Sequence, residues 1–236
     1  MYKLKILFLL LSVSTSLLGQ EKIEGIGKFK LKITTTAIIN NLIEEQGFNK
    51  TSIKSVRDLI SLRNGKDLVA EVFPDTLQFY SSAINSHHCK NIRVFYIPKI
   101  TIANIDIKNM YLTFSKDTLA EIMTDFSAEI TDAFDLKYGK SKLDVRETVE
   151  DCKSTYSGTI TNYTDKIYYQ YWDNNDISCT AALGDYRNSK CEKTTIAYIN
   201  IVLKDFAENT RICDDLEKER LKIANNKLKK KELKDF

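Results

Sequence analysis

The chain has 236 residues, of which 43% are hydrophobic and 28% charged, with only 8 Gly and 2 Pro, and a formal net charge of +3. That composition excludes a disordered or linker-like body. Lys3 and Lys5 belong to the first 20 residues, so the remainder carries a net charge of +1; nothing in that balance draws in nucleic acid.

Residues 1–20 read as an export signal: Lys3 and Lys5, an apolar run from Ile6 to Leu11, then small residues up to Gly19. The order is that of a cleavable leader, and the run is short of the ~20 residues a spanning helix needs. Gln20 stands where a lipoprotein would need cysteine. A secreted or periplasmic protein is therefore expected, with no stable membrane insertion once the leader is removed. Residues 21–236 are expected to form one α+β domain, with a possible subdivision into 21–90 and 91–236.

Phe29, Leu31 and Ile33 alternate with lysines, the period of a half-buried strand. Thr35 or Thr36 then caps a helix whose apolar stripe is Ile38, Ile39, Leu42 and Ile43 and whose stop is Gly47. Val56, Leu59 and Ile60 would suit a helix, but Asn64-Gly65 between apolar runs favours a β-hairpin over 56–72. From Ile92 to Met123, β-branched and aromatic residues predict three or four antiparallel strands, with Pro98 at a strand end or edge. A helix follows from the Ser127 cap through Ile130, Ala133, Phe134 and Leu136 to Gly139.

Residues 140–158 are polar and read as a long surface loop. A second antiparallel run is expected through "KIYYQYW", "ISCTAALG" and "TTIAYINIVL". The chain closes on a long amphipathic helix with Ile212, Cys213, Leu216, Ile223, Ala224 and Leu228 on its inner side. Strands grouped with strands argue for an α+β fold, antiparallel sheets with packed helices. They argue against a nucleotide site at a strand-order switch point.

His87, His88 and Cys89 form the chain's one histidine-bearing cluster. Adjacent side chains diverge on a strand or helix, and zinc sites space their ligands more widely, so a solvated loop is favoured over a metal or nucleophilic site. Cys179 and Cys191 bracket two strands expected to pair and are the candidate disulfide among five cysteines, with Cys152, Cys213 and Cys89 left over. Tyr168, Tyr169, Tyr171 and Trp172 alternate along one predicted strand: one face must be core, and the other is a candidate platform for a sugar or peptide. No metal ligand set, cofactor motif or catalytic motif is read from the chain. The expected function is an exported, non-catalytic binding or structural module whose partner is a protein, peptide or envelope component. The alternative is a hydrolase or metal-dependent enzyme using His87, His88 or Cys89.

Overall fold

The computed structural model describes residues 21–73, 91–153, 159–188 and 190–232. The leader expected over 1–20 and the His87-His88-Cys89 triplet lie outside them. The elements, in chain order, are β1 (Gly25–Ile26), β2 (Phe29–Lys30), α1 (Ala37–Gln46), β3 (Asn49–Ile53), α2 (Val56–Leu62), β4 (Leu68–Val72), β5 (Ile92–Ile102), β6 (Ile105–Ser115), β7 (Thr118–Asp125), α3 (Ala128–Tyr138), β8 (Lys142–Lys153), β9 (Ile160–Asp173), β10 (Ile177–Arg187), β11 (Lys193–Leu203) and α4 (Lys204–Glu232).

The protein is mostly β, which corrects the expected α+β class. One nine-stranded sheet runs in the order β3-β4-β5-β6-β7-β11-β10-β9-β8, and β1 and β2 pair separately. The sheet is mixed rather than purely antiparallel, because β3 runs parallel to β4. The source of that parallel pair is α2, which occupies the place of the expected first hairpin strand. Ser55 sits extended and its side chain accepts the amide of Asp58, so the "SVRD" stretch starts a helix that crosses over to β4.

The long strands are joined tightly. Ala103-Asn104 links β5 to β6 and Lys116-Asp117 links β6 to β7, with positive φ at all four residues. Two such residues in a row define the type I′ turn, whose twist matches that of the strands it connects. Pro98 lies inside β5, and the β4–β5 ladder stops at Tyr96, so the missing amide faces no partner strand there.

One row of residues shows how the core is made. Phe95, Leu112, Ile122, Ile201, Cys179 and Trp172 are successive cross-strand partners over six strands, and all are buried. Above this face lie α1, through Ile39 and Leu42, and α3, through Ile130 and Phe134. On the opposite face α2 covers a smaller cluster, with Leu59 packed among Ile53, Val72, Val94 and Tyr96. The β7–β11 seam joins two sequential blocks: α1 precedes five strands that end in β7, α3 precedes four that end in β11, and both helices cover the same face.

Three further expectations are corrected. Ile33 does not extend a strand: β2 ends at Lys30, Lys32 turns with φ 65°, and Ile33 is exposed. Residues 142–153, read as loop, form the edge strand β8, because β9 supplies a full ladder from Lys142↔Tyr171 to Lys153↔Ile160. The C-terminal segment is helical, but it is not the expected amphipathic helix laid on the sheet. Phe206 and Thr210 are buried in its first turns, whereas Ile212, Leu216 and Ile223 stand in solvent. Among the described residues no helix is long and apolar enough to cross a membrane.

Candidate functional site

Strand alternation divides the four aromatic residues singled out by sequence. Trp172 faces the helices, where its ring meets Phe134 edge-on at 5.7 Å. Its Nε1 donates to Oδ1 of Asp135 and to the carbonyl of Gly139, each at 3.1 Å. Trp172 is therefore a core residue and no part of a platform. Tyr168 shares that face but lies beyond the helix and is half exposed.

Tyr169 and Tyr171 project to the other face, stacked with centroids 6.0 Å apart and planes 9° from parallel. The guanidinium of Arg146, on the neighbouring β8, lies 4.7 Å from the Tyr169 centroid. A cation over an aromatic face is attracted by the ring's negative face. Register extends the patch across the sheet: Tyr169 is opposite Ala182, itself opposite Tyr198, while Tyr171 is opposite Thr180, itself opposite Asn200. Burial pushes the Tyr198 hydroxyl above its ordinary titration range, and Tyr169 and Tyr171 add to that shift against the opposing charge of Arg146. Oδ1 of Asn200 is buried with no hydrogen-bond partner among the described residues. A buried acceptor left unpaired costs free energy.

The same rows run on into the first half. Asn200 is opposite Met123, and Met123 is opposite Tyr111. The Tyr96 hydroxyl donates to Asn109 Oδ1, and Asn109 Nδ2 donates to Asp125 Oδ2, each at 2.6 Å. Burial raises the Tyr96 hydroxyl to about 12, the Asp125 carboxylate adding to the effect and Arg63 opposing it. Tyr96 and Tyr198 are therefore neutral hydrogen-bonding groups near pH 7. The face is thus equipped to stack and hydrogen-bond, with Arg146 as the cation beside the stacked tyrosines.

Beyond Tyr169 the sheet curls toward this same face. Cys152, at the end of β8, is disulfide-bonded to Cys191 in the β10–β11 connection, with Cα atoms 5.7 Å apart. The expected Cys179–Cys191 bond is absent: Cys179 is a free, buried thiol. Its register partner is Ile201, whereas the hairpin closes at Arg187↔Lys193, so eight strand residues at ~3.3 Å each separate Cys179 from the turn. Cys213 is disulfide-bonded too. Inside the curl, Arg187 pairs with the buried Asp165 at 2.5 Å and lies 3.7 Å from the Tyr163 centroid.

A separate groove of about 590 Å³ lies between the start of α4 and the β6–β7 turn, lined by Lys32, Lys116, Phe206, Asn209 and Thr210 among others. Among the described residues no group of three or more His, Cys, Asp or Glu could hold a metal ion. Sequence reading missed Arg146, Tyr198 and Asn200. Arg146 was hidden in an expected loop, although Leu143, Val145 and Val149 alternate there with polar residues. Comparison with protein-family models, with curated proteins and with solved structures gives no match.

Proposed function

We propose that this chain is an exported, non-catalytic binding module that holds a peptide, a protein or another envelope component on the face built by Tyr169, Tyr171 and Arg146. The observation that carries the reading is the stacked tyrosine pair under a guanidinium. Planar residues held rigid by a sheet offer contact area at low entropic cost. Export is supported by the leader-like N-terminus and by the Cys152–Cys191 bond, since disulfides persist in oxidising compartments.

Two measurements test it. N-terminal sequencing of the extracytoplasmic fraction should begin near residue 20 or 21, and an intact Met1 on a membrane-embedded chain would overturn export. A displayed peptide library and a solubilised envelope fraction should each be panned against the chain and against Tyr169→Ala/Tyr171→Ala. Binders retained equally by both would remove the tyrosine face as the site.

A further inference from the structure

The helix-bearing side of the sheet is not covered to its edge. Past Trp172, register aligns Val145, Tyr168, Leu183 and Ala197 across four strands. None is buried: Val145 is 41% exposed, Tyr168 48% and Leu183 41%. Among the described residues β8 pairs with β9 alone, so the row ends at a strand whose outer backbone groups have no ladder. A long edge strand without proline or a covering element is a template for adding another strand.

We infer that β8 is the interface between two copies of this chain, paired antiparallel about a two-fold axis through Val145 that runs perpendicular to the sheet. That axis keeps the helix-bearing faces of both copies on one side. Face is preserved only in registers that differ by two residues, and charge separates the Val145-centred register from its two neighbours. With Val145 opposite Val145 of the second copy, Asp144 meets Arg146 twice and Lys142 meets Thr148. Moving by one allowed step in one direction sets Arg146 against Arg146 on the axis and exchanges both Asp144–Arg146 pairs for Lys142–Glu150 pairs further out. The step in the other direction sets Asp144 against Asp144 and Lys142 against Arg146. Like charges directly opposite destabilise a strand pair, and opposite charges support it. The selected register also joins the two exposed rows end to end, Ala197 to Val145 and onward through the second copy. Charge on one face and apolar continuity on the other favour the same alignment, as a self-complementary two-fold contact requires.

The inference shares Arg146 with the tyrosine face, but its test reads the oligomeric state alone, so either reading can fail without the other. Sedimentation equilibrium of the purified full-length chain should give twice the chain mass at tens of micromolar. Val145→Lys places two cations on the axis, and it should sediment as a monomer with unchanged far-UV circular dichroism, its melting temperature no longer rising with chain concentration. Under mild oxidation Val145→Cys should give a disulfide-linked dimer. Val149→Cys lies four residues from the axis in each copy and should not. A monomer at every concentration up to several hundred micromolar overturns the proposal. So does a dimer in which Val149→Cys cross-links and Val145→Cys does not.

Discussion

The indole Nε1 of Trp172 donates to Oδ1 of Asp135 at 3.1 Å, so the strand that presents the stacked tyrosines on one side is fixed to helix α3 on the other. Asp135 also accepts the amide of Ser141, at 2.9 Å, and Lys140 Nζ at 3.0 Å. Replacing Trp172 by Ala should cost about 3–5 kcal/mol, as for other buried aromatic deletions. Trp172→Phe should cost less, losing the hydrogen bonds but keeping most of the packing. Urea denaturation of the two variants checks the order.

Asp135 also gives the fold a pH dependence. Burial raises its pKa, but Lys140, the Ser141 amide and Trp172 together outweigh this and hold the carboxyl below its ordinary 3.8. A depressed native pKa contributes stability that is fully present above the unfolded value and is lost as pH falls through the native one. Between pH 5 and pH 2.5 the wild type should therefore lose more stability than Asp135→Asn. Equal losses in matched urea titrations would remove Asp135 from the acid response.

The Cys152–Cys191 bond closes a 39-residue separation. Replacing both cysteines with serine should lower stability by about 2–4 kcal/mol, by freeing the unfolded chain. Denaturation with and without reductant should show that the double variant is the less sensitive of the two to reduction.

Cys179 should be inert. It is fully buried, and burial, followed by the charge of Asp173, pushes its thiol well above the ordinary cysteine range. The thiolate is the reactive form. Iodoacetamide at pH 8 should leave Cys179 unmodified in the native chain and label it in urea, read by peptide mass spectrometry.

The Arg187–Asp165 pair should show strong coupling. Arg187→Met leaves the Asp165 carboxylate buried and unpaired, at a cost of about 3–5 kcal/mol. Adding Asp165→Leu should recover most of that loss. A double variant no more stable than Arg187→Met would mean that the strands there are held by other contacts.

The helices α1 and α3 could be read directly from the chain, because their signals are local. Gly47, Ser127 and Gly139 mark ends where the sequence places them, whereas Thr36 stands at the start of α1 without capping it, its hydroxyl donating to Asp117 instead. The local signal for α2 was also present, as Ser55 followed three residues later by Asp58, but Asn64-Gly65 outweighed it as a hairpin mark. β8 was misread because an edge strand buries little, so its alternation lacked the density of apolar residues seen in β5 to β7. The split of the tyrosines between faces followed from period two; that Trp172 took the core side depended on where α3 packs. Disulfide partners depend on the curl of the sheet, which no spacing between cysteines records.

The strand order, with the last strand at the centre, bears on the route by which the chain folds. β5, β6 and β7 are joined by two-residue turns, so they can assemble from neighbouring segments as soon as those are made. The seam of the sheet is different, since β7 pairs with β11 and Asp125 meets Tyr198 there. Contacts of that sequence separation form slowly, because a long loop must be ordered before they reward it. Until then β7 presents Ile122 and its open backbone to whatever else is near. The last strand of the sheet to be synthesised thus closes its middle, and the time before β11 docks is the period in which a chain of this topology is most exposed to aggregation.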